Sequence, residues 1–206
     1  ATPNQLAIPK TSPWFTPYDR FTVGLDRAAA VDKSRSLLRD AGHSSLSMGL
    51  MVSTEYPETV TAAQVIASNL ADAGIKVTIE QLDFGVWLDR QSAGQFDSLL
   101  MGWLGNIDPD DFYYAQHHTG GTSNSQKYSN SEVDRLLDAG RAELDVGRRK
   151  QIYADVASRI ADDVSYLYLY NPSTTQAFST SVRDYTVRAD KAVRFRNARL
   201  DRGGAS

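Results

Sequence analysis

The chain has 206 residues, of which 41% are hydrophobic and 23% charged, with a net charge of −3 and no cysteine. That length suits one large domain or two small ones, and it buries roughly 70% of the unfolded surface without a staple. The charge balance excludes a general binder of nucleic acid or anionic membrane; no apolar run reaches the ~18 residues of a membrane span; and disulfides, thiolate metal sites and cysteine nucleophiles are ruled out.

The chain opens Ala-Thr-Pro with no Met and no signal peptide, which reads as processing or as a cut from something longer. Residues 1–18 hold four of the seven prolines, an extended lead-in in which no helix is expected. Asp26 to Ala41 reads as a helix stopped by Gly42. Leu46 to Val52 reads as a strand. Pro57 to Ala73 reads as a helix, with capping-box spacing between Thr61 and Gln64, a buried stripe of Val65, Ile66 and Leu70, and Gly74 at its end. Ile75 to Leu82 alternates and is β-rich, so a strand is expected. A short helix over 84–92 ends near Gly94, and a third strand runs from Phe96 to Trp103. Strand and helix alternate at crossover spacing, so residues 46–104 are expected to form a parallel βαβαβ unit.

Beyond the polar 119–130 loop, two helices are predicted. The first, near 131–144, sets Val133, Leu136, Leu137 and Leu144 on one side; the second, near 146–163, carries Ile152, Tyr153, Val156, Ala157 and Ile160. Tyr166 to Tyr170 alternates with a period of two and reads as a half-buried strand. Asn171-Pro172-Ser173 turns it, and Thr175 to Thr180 is expected to return antiparallel. The stretch from Arg183 to Arg199 is basic and irregular.

The segment 96–114 changes character abruptly. The apolar run Leu99-Leu100-Met101 gives way to Gly102-Trp103-Leu104-Gly105, an aromatic set among glycines, and then to the polar turn Asn106–Asp111, stiffened by Pro109. Open α/β sheets place ligands where a buried strand ends in such a loop. Trp103 reads equally as core or as a ligand wall; Trp87 reads as core, and Trp14 as a cover for the sheet. Asp108, Asp110 and Asp111 lack calcium-loop spacing and read as a capped turn entering a helix. His43, His117 and His118 read as surface or turn residues, and the adjacent pair is poorly placed to share a metal. Arg148-Arg149-Lys150 reads as a solvated helix face. Nothing matches a nucleophile elbow or a phosphate-binding loop. The residues therefore yield no catalytic group, metal site or cofactor. An α/β hydrolase or metal enzyme built on Asp108, Asp110 and His117 remains an alternative, as does a ligand-sensing module that signals to a partner.

Motifs spread along the chain resemble bacterial extracellular solute-binding proteins of the peptide/nickel class, the family 5 binding proteins of ABC importers. Asp26…Ala30…Leu37-Leu38…Ala41-Gly42 and Ala63-Gln64-Val65-Ile66…Leu70…Gly74-Ile75-Lys76-Val77 carry part of the likeness. Gly102-Trp103…Asp108-Pro109-Asp110-Asp111-Phe112, Tyr128-Ser129-Asn130…Val133-Asp134-Arg135-Leu136-Leu137 and Arg148-Arg149…Ile152-Tyr153 carry the rest, in the right order. The resemblance implies a periplasmic-binding-protein-like α/β lobe, mostly parallel and with a late antiparallel strand pair. It implies that residues 1–183 are the C-terminal lobe of a two-lobed protein and that 184–206 return to a missing N-terminal lobe of the same chain. It further implies non-enzymatic capture of a small peptide or oligosaccharide by lobe closure, delivery to an ABC permease, and an extracytoplasmic location, periplasmic or as a cell-surface lipoprotein. Ligand contacts are expected from Trp103, Gly105 and Asn106, with Glu55 and Tyr56 behind them. Dipeptide-binding relatives place an aspartate at the position of Asn106 and an arginine near that of Ser53, so both ligand-anchoring charges are absent here.

Overall fold

The computed structural model describes residues 1–18, 26–104, 107–173, 175–188 and 192–201. Two short segments open and close the helical part: β1 (Thr2–Pro3) pairs antiparallel with β5 (Tyr170–Asn171). Between them lie α1 (Arg27–Asp40), β2 (Leu46–Ser53), α2 (Pro57–Ala71), β3 (Ile75–Leu82), α3 (Phe84–Ala93) and β4 (Ser98–Leu99). The helices α4 (Asp110–His117), α5 (Ser131–Ala142) and α6 (Val146–Asp162) follow, and β6 (Val182–Arg183) pairs antiparallel with β7 (Arg199–Leu200).

The parallel unit forms as its pattern predicts. The sheet order is β3-β2-β4, with β2 central and both its neighbours parallel to it. Register runs from Leu46 opposite Ile75 to Ser53 opposite Leu82. The third strand is much shorter than the expected 96–103: Leu50 faces Ser98, Met51 faces Leu99, and a last bond from Leu100 N–H to Met51 O ends the ladder. From there the chain turns away towards α4, so Met101 to Trp103 have no strand partner in the described sheet.

Leu50 and Val52 meet Ala63 of α2, and Val60, Ile66, Val77, Ile79 and Leu100 complete this sheet-side cluster. Trp87 of α3 is core, as expected; it is fully buried and sends its indole N–H to Met51 O. Truncating an aromatic this deeply buried costs about 3–5 kcal/mol. The inward stripe of α2 differs from the expected one. Thr59 and Ala63 are buried while Val65 is exposed. Pro57, pre-set for a first helical position, starts the helix a turn before Thr61, so Thr61 bonds back to Pro57 O instead of capping.

A second core lies among the helices. Leu6 and Ile8 of the lead-in join Tyr113, Val133, Leu137, Tyr153, Val156, Ala157 and Ile160. Trp14 packs here and not on the sheet, because the lead-in is drawn to the helices by Leu6, Ile8 and the β1–β5 pair. Asn130 caps α5 through Glu132 N–H and Val133 N–H, and Asp145 caps α6 through Arg148 N–H. Leu144 falls beyond the end of α5 and is almost wholly exposed.

Two late expectations change. The Tyr166–Tyr170 alternation is real, with Tyr166 and Tyr168 turned inwards and Leu167 and Leu169 outwards, but only Tyr170–Asn171 is paired. Its partner is the N-terminal Thr2–Pro3, and residues 175–180 form no strand. His117 is fully buried, not a surface residue. α4 turns it into a cage of Tyr113, Tyr128 and Tyr166, where Nε2 meets the Tyr168 hydroxyl at 3.1 Å and Nδ1 meets Ser165 Oγ at 3.3 Å. Hydroxyls both donate and accept, so a neutral ring is satisfied there.

Burial pushes the His117 pKa down to about 3. The folded state therefore refuses a proton that the unfolded chain takes up below pH ~6.5. The stability contributed by the neutral ring is complete above that pH and is lost as pH falls towards 3. Urea unfolding should show a drop of on the order of 2–3 kcal/mol between pH 7 and pH 4, and a His117→Gln variant should show a clearly flatter profile.

Candidate functional site

Parallel strands put all their carboxyl ends at one edge of the sheet. β2 delivers Thr54, Glu55 and Tyr56 there, β3 delivers Asp83 and Phe84, and β4 delivers the segment from Leu100 to Leu104. Thr54 ties the first two together, since both its N–H and its hydroxyl reach Leu82 O. Tyr56 meets Phe84 edge-on at 5.6 Å, and Phe84 stacks on Trp87 at 6.1 Å. An aromatic ladder thus runs from the buried sheet to the surface at Tyr56. Glu55 is exposed beside it, its backbone N–H held by Ser53 Oγ. Ser53 itself is fully buried, so the position matched loosely to a ligand-binding arginine lies beneath this surface.

The β4 exit is the most exposed apolar part of this edge. Trp103 is 51% exposed, Leu104 82% and Ile107 79%. That exposure sets aside the core reading of Trp103, whose indole N–H donates to Asp111 O at 2.9 Å. Gly105 and Asn106, the other two expected contacts in this loop, lie outside the described residues.

The aspartates after this loop act as a capped turn, as their spacing suggests. Asp108 Oδ1 accepts Asp110 N–H at 2.9 Å and leads into α4. Asp108 and Asp110 each also have a cation. Asp108 is held by both terminal nitrogens of Arg149, each at 2.8 Å. Asp110 is held by Arg141 and by the Tyr153 hydroxyl. The Arg149 guanidinium keeps the Asp108 carboxyl below its ordinary range, and Asp108 in turn raises that of Arg149. Burial, then the nearby Asp110 charge, pushes the Tyr153 phenol up. His117 is occupied in its own tyrosine cage, so the structure does not gather Asp108, Asp110 and His117 into one reactive group. Among the described residues no cluster of three metal-ligating side chains occurs.

Arg149 corrects the reading of 148–150 as a solvated face. Its side chain is only 17% exposed, whereas Arg148 pairs with Glu143 at the surface and Lys150 reaches Pro13 O. The missed signal was periodic: 149, 153, 156 and 160 follow one stripe of α6, and the last three are buried apolar or aromatic residues. A cation in register with such a stripe needs a buried partner.

With this geometry in place, the comparisons with known proteins are decisive for the family. Residues 1–125 match the family model "Bacterial extracellular solute-binding proteins, family 5 Middle". The chain belongs to this family. Among curated relatives, a di/tripeptide-binding protein of Pseudomonas aeruginosa is 27% identical over 164 residues, covering 76% of this chain and 31% of the relative. A dipeptide-binding protein of Escherichia coli is 25% identical over 179 residues, 82% of this chain and 34% of that protein. The solved dipeptide-binding protein of Pseudoalteromonas sp. SM9913, in complex with Met-Leu, superposes with a TM-score of 0.79 at 26% identity, covering 97% of this chain and 40% of its own. NikA of Staphylococcus aureus shares the fold, with a TM-score of 0.74 at 20% identity over 92% of this chain and 40% of that one. This family 5 chain therefore has the periplasmic-binding-protein fold expected of it, and it spans 26–38% of the length of the first three curated relatives. Those relatives are binding proteins, and no described helix here is long and apolar enough to cross a membrane.

The site depends on close packing of Tyr153 against α5. A Cβ added at Gly140 would lie 2.9 Å from two carbons of the Tyr153 ring. Alanine gains about 1 kcal/mol of helix propensity, but overpacking costs about 1–3 kcal/mol and should win, because a buried ring has nowhere to move. Gly140→Ala should therefore lower the urea midpoint, with a net loss of about 1–2 kcal/mol.

Proposed function

We propose that this chain forms one lobe of a two-lobed solute-binding protein of an ABC importer, and that it captures a peptide-like solute non-covalently as the lobes close. The observation that carries this reading is the exposed apolar group Trp103, Leu104 and Ile107 at the carboxyl edge of a parallel sheet, beside Glu55 and Tyr56. Ligands in open α/β sheets lie at that edge. The names of the relatives support a peptide as the cargo. The protein then works outside the cytoplasm, in the periplasm or as a cell-surface lipoprotein, and passes its solute to a membrane permease.

In this reading residues 1–183 are the lobe and 184–206 return to the other lobe. The exposed Phe178, Val193, Phe195 and Leu200 around the β6–β7 pair support a covering partner there. Trp103 supplies an aromatic wall and Asn106 a neutral polar contact, with Gly105 between them allowing close approach. An amide in place of a carboxylate forfeits roughly half the strength of a charge-assisted bond, so a free α-ammonium group is held less firmly than in dipeptide-binding relatives.

The full-length protein should be tested by thermal shift against free dipeptides, N-acetylated dipeptides and oligosaccharides. A solute at about a hundredfold excess over its Kd should add about 2.7 kcal/mol of stability. Peptides are expected to give the shift, and Trp103→Ala should abolish it while leaving the protein folded. A response confined to oligosaccharides, or none to any peptide, overturns the peptide reading.

A further inference from the structure

We propose that Arg149 of α6 is the positioning residue for Trp103, acting through Asp108 and the start of α4; the proposal rests on the binding-lobe reading above. The chain leaves the sheet-side cluster at Leu100 and enters the helical cluster at Phe112. Besides the contacts of Asp110 with Arg141 and Tyr153, two attachments among the described residues of that span bear on Trp103 and Asp108. Trp103 donates its indole N–H to Asp111 O, and Asp108 lies on Arg149. Pro109 is fully buried and cannot shift independently. Trp103 is thus tied to the first turn of α4, whose start is held by a guanidinium.

Arg149 uses its planar fork completely. Both terminal nitrogens bond Asp108, Nε donates to Gly140 O at 2.8 Å, and the group lies 5.1 Å from the ring centres of Trp14 and of Tyr153. One side chain therefore refers the segment to α5, α6 and the lead-in at once. Asp108 in turn fixes the start of α4, since the oxygen that accepts an Arg149 N–H also accepts Asp110 N–H. Arg141 does less of this: it is half exposed and binds Asp110, which is already inside α4. Lysine cannot replace Arg149, because a point charge with rotatable donors cannot hold a carboxylate bidentately and a backbone carbonyl together. The consequence is that the direction of Trp103 is set before any solute arrives, which reduces the ordering cost of binding.

The test compares the full-length wild type with Arg149→Lys, Asp108→Asn and Arg148→Lys. Amide hydrogen exchange without solute is followed in fragments covering 103–112, α5 and α6, and binding of Met-Leu and N-acetyl-Met-Leu is measured by calorimetry. Arg149→Lys is expected to speed exchange in 103–112 at least tenfold, to leave the core of α6 at the wild-type rate, and to weaken whichever probe the wild type binds at least tenfold at unchanged far-ultraviolet dichroism. Should that variant not fold, Asp108→Asn, which leaves Arg149 its bond to Gly140 O, is expected to give the same result. Arg148→Lys should alter neither measurement. The proposal is overturned if exchange in 103–112 is unchanged, if it rises equally throughout α5 and α6, or if affinity holds while exchange rises. If the wild type binds neither probe, the peptide reading fails for these solutes, and the exchange comparison by itself decides whether Arg149 fixes the segment.

Discussion

The carboxylate of Asp108 on the guanidinium of Arg149 holds the chain where it enters the helical cluster after leaving the sheet-side one. One cluster packs α2 against the parallel sheet, and the other packs the lead-in against α4, α5 and α6. The chain passes between them through a segment whose side chains are largely exposed, so apolar burial cannot hold it. Charge-assisted, bidentate bonds can, because they combine direction with about twice the strength of neutral ones. The partial burial of Arg149 matters here: a fully exposed pair would be screened and worth little.

That arrangement separates stability from recognition. Trp87, Val52 and Ala63 on one side, and Tyr113, Val156 and Ile160 on the other, are sealed from solvent. Among the exposed apolar side chains, Tyr56, Trp103 and Leu104 follow the ends of the parallel strands, and Ile107 precedes α4. The two cores lie beneath this exposed apolar surface and stay sealed from it. Asp108 and Asp110, which follow this surface in the chain, are tied into capping and ion-pair bonds.

Much of this was legible in the residues. The bounds of β3 match the alternating Ile75–Leu82 pattern, and β2, α2 and α3 lie within about two residues of their expected bounds. The turn character of Asp108–Asp111 and the burial of Trp87 also followed from local pattern. The failures share a cause. Val65 was placed inside and His117 outside because period and polarity say which residues share a face, but not which face meets a neighbour. Arg149 was assigned to solvent because its partner lies 41 positions away in sequence, and the buried stripe it shares with Tyr153 gains meaning only when Asp108 arrives opposite. The strand partner of Tyr170–Asn171 was sought nearby, whereas the ladder closes on the second and third residues of the chain.

The sequence by itself determined the order of strands and helices, the parallel character of the central sheet and the place of the polar turn after the third strand, because each is set by backbone preference and by side-chain periods within a few residues. Only the tertiary structure decided that His117 is caged, that the lead-in belongs to the helical core, and that Arg149 holds Asp108. Those outcomes depend on which distant groups the packed chain brings within hydrogen-bonding reach, and desolvation then makes each such pairing decisive.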